Sequence, residues 1–117
     1  MPDAAGPLLG IRVLEVGEQV SAPYAAKLLA DLGADVVKVE APTGDPARTR
    51  GPFPMDRPDP EASGFFLYLN TNKRGITLDL TNEPDRGVFD RLLARADGLV
   101  DNILPLGRVG RGRRARP

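Results

Sequence analysis

The stretch that most limits what this chain can fold into is residues 11–40, IRVLEVGEQVSAPYAAKLLADLGADVVKVE. It reads as strand, tight loop, helix, strand. Ile11, Val13, Leu14 and Val16 form a nearly continuous apolar run, the pattern of a parallel strand covered on both faces. Residues 17–22 turn the chain, and Ser21 is a candidate N-cap for a helix that tolerates Pro23 in its first turn. Ala25, Leu28, Leu29 and Leu32 share one helical face and are the expected buried stripe. Gly33 stands where a helix ends on a left-handed residue, and Val36-Val37-Lys38-Val39 reads as the second strand. A βαβ unit of this kind brings a strand-end loop and a helix N-terminus together, where phosphates and nucleotides are commonly held.

The rest of the chain repeats the alternation. Residues 41–62 contain Pro42, Pro46, Pro52, Pro54, Pro58 and Pro60, which exclude a long helix or a central strand and predict a stiffened loop. Ser63 is placed to cap a short helix over 64–69, and a polar turn follows over 70–75. Ile76-Thr77-Leu78-Asp79-Leu80 alternates as a strand does. Thr81 or Asn82 caps a further helix, with Glu83 and Asp85 in its first turn and a buried face of Val88, Phe89, Leu92, Leu93 and Ala96. Gly98-Leu99-Val100 begins a fourth strand that ends at Asp101-Asn102. The expected fold is α/β, a Rossmann-like, mostly parallel open sheet that is incomplete at its C-terminal end.

Composition narrows the chemistry. The 117 residues contain no Cys and no His, which removes disulfides, thiolate chemistry and the commonest general base and metal ligand. Neither of the two serines, Ser21 and Ser63, lies in G-x-S-x-G, and no G-x-G-x-x-G or P-loop follows the first strand. No apolar run approaches the roughly 18 residues of a membrane span, so a membrane partner is not expected and the expected location is the cytoplasm. The zero net charge is unevenly spread: residues 108–117 hold five Arg, leaving 11 basic against 16 acidic groups in residues 1–107. That Gly-interrupted run lacks aromatics, and it reads as a solvated tail rather than a nucleic-acid site.

Several local sequences, taken in order, resemble one family. They are Leu9 to Glu15, Ala22-Pro23, Leu28 to Glu40, Gly44-Asp45-Pro46 with Arg48 and Gly51-Pro52, Asn70 to Arg74 leading into Thr77 to Leu80, and Ala96 to Asn102. Together they resemble the N-terminal part of class III coenzyme A transferases, the formyl-CoA and carnitine-CoA transferase type. The resemblance implies an interlocked homodimer, acyl-CoA and a carboxylate as substrates, and no tightly bound cofactor. It also implies that an aspartate carries the acyl group. No Asp of this chain matches that residue, so the resemblance implies an N-terminal piece, inactive by itself. Residues 1–105 would be part of the large CoA-binding domain and 106–117 a disordered tail.

The resemblance also implies contacts to CoA. Val20 and Ser21 match the loop after the first strand. Ala41 stands where many members carry Arg. Leu78, Asp79, Leu80 and Thr81 match a second contacting stretch, with Thr81 where Lys is frequent. Asn102 and Ile103 match an Asn-Phe pair. The residues themselves leave simpler readings open: Ser21 as a plain cap, Asn102 as a strand end, and Leu78 and Leu80 as core. By composition, Lys73-Arg74 reads as a solvated turn and Asp45 to Arg48 as a loop with a local ion pair. A racemase of α-methylacyl-CoA shares the fold and is the alternative enzyme. A non-catalytic CoA-binding or interaction module is the alternative from another class.

Overall fold

The computed structural model describes residues 6–102. Ile103 and the Arg-rich segment 106–117 lie outside the described residues. In chain order the elements are β1 (Arg12–Val16), α1 (Ser21–Asp31), β2 (Asp35–Glu40), 3-10 turns at Pro46–Thr49 and Pro54–Asp56, α2 (Gly64–Leu69), β3 (Arg74–Thr77), α3 (Glu83–Arg95) and β4 (Gly98–Asp101).

The strands form one four-stranded sheet in the order β3-β2-β1-β4. Every pairing is parallel, and Leu14 lies opposite Val37 on β2 and Leu99 on β4. Side chains alternate across β1, so both faces need cover. On one face Val13 and Val36 pack with Ala26 and Ala30 of α1. On the other, Leu14, Val16, Val39 and Leu78 pack around Phe89 of α3, which is 1% exposed. The α/β expectation is met, with helices on both faces.

Local signals explain the element ends. Ser63 Oγ accepts from Phe66 N–H and Asn82 Oδ1 from Asp85 N–H, so α2 and α3 are capped where the sequence predicts. Gly33 takes φ 108° after α1, a conformation glycine adopts without a side-chain clash.

Three expectations need correction. The buried face of α1 is Ala22, Pro23, Ala26 and Ala30, whereas Leu28 is 45% and Leu32 47% exposed. Alanines spaced four apart let the helix lie close to the sheet; Leu29 packs against the edge of this cluster as expected, and Leu28 and Leu32 fall on the outer side. Ser21 is not the cap of α1: Val20 occupies that position and no side chain caps the helix. The third strand begins earlier than its alternation suggests, because β3 pairs with β2 from Val37↔Arg74 to Glu40↔Thr77 and β2 ends there. Leu78 N–H still donates to the Glu40 carbonyl at 2.9 Å, but 78–80 then leaves the sheet.

Candidate functional site

The strand order sets where the loops part. The chain runs outward from β1 through β2 to β3, then returns to the far side of β1 for β4. Such a reversal parts the loops that leave the C-terminal strand ends, and ligands of open α/β sheets bind there. At the β1–β4 junction Asn102 binds the β1–α1 loop from both sides of its amide. Its Oδ1 accepts from Glu18 N–H at 3.0 Å, and its Nδ2 donates to the Glu18 carbonyl at 3.0 Å and to Ser21 Oγ at 2.7 Å.

Beside this junction, the C-terminal ends of β1, β2 and β3 open into a cleft of about 500 Å³. Val16, Val39, Leu78 and Leu80 supply apolar wall, while Gly17, Ala41, Pro42, Asp79, Thr81 and Arg86 are among the other lining residues. The acids of the lining are held in different ways. Glu40 accepts from Arg48 Nε at 2.7 Å and Nη2 at 2.8 Å. Burial pushes its carboxyl up, but the Arg48 bonds and Asp45 N–H outweigh that and leave it below its ordinary value. Glu18 is shifted upward by burial and by the neighbouring Asp45, with Lys38 opposing. Asp79 is lowered by the hydroxyl and N–H of Thr81.

Beneath the β1–α1 loop lies a buried charge cluster. Lys38 Nζ donates to Glu15 Oε2 and to the Gly17 carbonyl, both at 2.9 Å, and stands 3.0 Å from Asp45 Oδ2. Lys73 Nζ donates to Glu15 Oε1 at 2.7 Å, to the Pro23 carbonyl at 2.9 Å and to Asn70 Oδ1 at 2.6 Å. The four charged side chains are 0–3% exposed and formally cancel. Asp45 Oδ2 makes no hydrogen bond although Lys38 is within ion-pair distance, so that pairing is Coulombic and poorly aligned. Burial lowers the Lys73 ammonium below its ordinary value against the pull of Glu15.

This cluster shapes the loop above it. Lys38 holds the Gly17 carbonyl, and Asp45 Oδ1 accepts from Gln19 N–H at 3.0 Å, where Gln19 has φ 68°. At Gly17 an added Cβ would lie 2.5 Å from Ala22 Cβ, so glycine is required for the close approach of loop and helix.

Of the sequence-predicted contacts, Ala41, Leu78, Asp79, Leu80 and Thr81 come together in the cleft. Ser21 and Asn102 bond to each other at the neighbouring junction, and Val20 is 47% exposed beside them. Ile103 lies outside the described residues. Two bland readings fail: Lys73 is buried rather than solvated, and Asp45 pairs with Lys38 while Arg48 pairs with Glu40. Sequence reasoning missed Glu15, Lys38 and Arg86. Charged residues inside the apolar runs of β1 and β2 were the available signal for the first two.

Among the described residues no three His, Cys, Asp or Glu side chains converge to hold a metal ion, and no helix is long and apolar enough to cross a membrane. Residues 8–112 match the profile of CoA-transferase family III. The chain is 44% identical over 98 residues to a succinyl-CoA:mesaconate CoA-transferase of Haloarcula hispanica, covering 84% of this chain and 25% of that protein. It is 49% identical over 98 residues to a formyl-CoA:oxalate CoA-transferase of Streptomyces avermitilis, covering 84% of this chain and 23% of the relative. The crystal structure of a CAIB/BAIF family protein from Brucella suis superposes with a TM-score of 0.78 at 36% identity, over 91% of this chain and 29% of that one. The chain thus spans about a quarter of the length of the curated relatives it matches.

Proposed function

Since the chain belongs to CoA-transferase family III, we propose that it is the part of such an enzyme that receives the nucleotide portion of coenzyme A. The whole enzyme moves CoA between an acyl-CoA and a carboxylic acid through an aspartyl intermediate. The observation that carries this reading is the cleft at the C-terminal ends of β1, β2 and β3. Five of the positions matched to CoA contacts meet there around an apolar wall.

The chain's own residues bind and orient rather than react. Asp45 is engaged by Lys38 and the Gln19 N–H, and no Asp of this chain matches the acyl-carrying aspartate that the resemblance implies. On this reading the 117-residue chain by itself is inactive in transfer. A homodimer belongs to the same reading, supported by the apolar surface that Tyr24, Leu28, Leu67 and Tyr68 expose on α1 and α2.

Calorimetric titration of CoA into the chain tests the binding reading. Saturable one-site binding that survives removal of the pantetheine arm, with adenosine 3′,5′-bisphosphate as ligand, is expected. Absence of binding by both ligands contradicts it. An assay for CoA transfer between succinyl-CoA and a dicarboxylate is expected to give no turnover, and measurable turnover would refute the assignment of the chain as non-reacting.

A further inference from the structure

The cleft is lined by four acids and, among the described residues, a single cation. Of the lining acids, Glu40 is tied to Arg48 and Asp45 to Lys38, whereas Glu18 and Asp79 have no cationic partner within ion-pair distance among the described residues. Glu18 thus leaves an unpaired acid on the β1 side of the cleft and Asp79 one on the β3 side, so a bound anion needs a cation to offset them. Arg86 is the single cation among the described residues that line the cleft, and it comes from α3 on the opposite, β3 side.

The Arg86 guanidinium is held at the rim without being used up. Its Nη1 donates to the Leu80 carbonyl at 3.4 Å and to the Thr81 carbonyl at 3.2 Å, which fixes it over the end of the β3 segment. Its Nη2 is 3.7 Å from Glu83 Oε2, whose side chain is 89% exposed, a contact too long for a hydrogen bond and well screened. The Nε–H and the Nη2 donors remain for a ligand, and a guanidinium presents such donors in the fork that suits phosphate oxygens.

Resting on the CoA-binding reading, we propose that Arg86 is the phosphate-binding residue of this cleft. It fixes the direction of the nucleotide, with the phosphate at the β3–α3 rim and the adenosine against Val16, Val39, Leu78 and Leu80. Ala41 and Thr81 line the same cleft without charge, so its cationic character rests on Arg86 among the described residues. The recognised chemistry is a phosphate on an adenosine, and comparing ligands tells which one. Dephospho-CoA lacks the 3′-phosphate, and adenosine lacks all phosphates.

The test is titration of the full chain and its Arg86→Gln and Arg86→Lys variants with CoA, dephospho-CoA, adenosine 3′,5′-bisphosphate and adenosine, at low and high salt. Arg86→Gln is expected to weaken CoA about tenfold or more and to flatten the salt dependence. Arg86→Lys is expected to recover part of the loss, and adenosine to bind all three proteins equally. Because Arg86 lies on the surface, melting curves of the variants are expected to coincide with that of the parent chain. Equal CoA affinity and salt dependence in parent and Arg86→Gln overturn the assignment and leave the CoA-binding reading standing. Arg86-dependent binding of the bisphosphate without binding of CoA does the reverse. No binding of any phosphate ligand by the parent chain overturns both.

Discussion

Lys73 and Arg74 are neighbours in sequence and pair toward opposite ends of the sheet. The Lys73 side chain is 2% exposed and joins Glu15 beneath the β1–α1 loop, while the Arg74 side chain is 71% exposed and pairs with Asp35 at 2.7 Å at the N-terminal edge of the sheet. Near Asp35 and Arg74 lies a smaller cleft of about 210 Å³, lined also by Arg12 and Arg95. The two ends use the same chemical groups in different surroundings. Ions removed from water depend on one another, because no solvent replaces a missing partner. Ions at the surface are screened, and each can lose its partner with little consequence. The buried ions are therefore the costlier set to disturb, and Gly17 and Asp45, which line the cleft, are tied to them through Lys38.

The comparison breaks most readily at Glu15. Glu15→Ala leaves two ammonium groups buried without their shared carboxylate, and urea unfolding is expected to show a loss of about 3–5 kcal/mol or outright failure to fold. A loss below ~1 kcal/mol would mean that the cluster is hydrated and the contrast false. Gly17→Ala comes next. Its Cβ meets backbone-anchored Ala22 at 2.5 Å, and a destabilisation of roughly 1–3 kcal/mol is expected. Weaker CoA binding should accompany it, and unchanged affinity would show that the loop does not shape the cleft.

Acid sharpens the same contrast. The folded Glu40 carboxyl lies below its ordinary value of 4.5, so its stabilising contribution is present above that pH and is lost as pH falls through the folded value. Glu40→Gln is expected to make unfolding free energy fall less steeply with acidification below pH 4.5, and an unaltered slope would contradict the Arg48 pairing. The smallest effect belongs to the exposed end. Asp35→Asn is expected to cost about 0.2–1 kcal/mol, and a cost comparable to Glu15→Ala would erase the distinction.

What the sequence disclosed follows this division. Local signals were legible: the parallel crossover of β1 and β2, the caps Ser63 and Asn82, and Gly33 after α1. The buried stripe of α1 was misread because leucine outweighs alanine in any periodicity argument, and close packing against the sheet selected the smaller residues. The candidate cleft was half legible, since the residues at 78–81 and 41 fall in it while the ion pairs beneath the neighbouring β1–α1 loop were hidden. Lys73 meets Glu15 across 58 positions, and Asp45 chooses Lys38 over nearby Arg48 because Glu40 already holds that guanidinium. Only the folded sheet brings such partners within reach of each other.

The account stands most directly on where the nucleotide contacts the sheet. Amide chemical-shift mapping of the labelled chain during titration with CoA reads this residue by residue. Perturbations are predicted at Gly17, Glu18, Leu78 to Thr81 and Arg86, with Arg12, Asp35 and Arg95 unmoved. Shifts confined to the latter group, or none anywhere at saturating CoA, would contradict it.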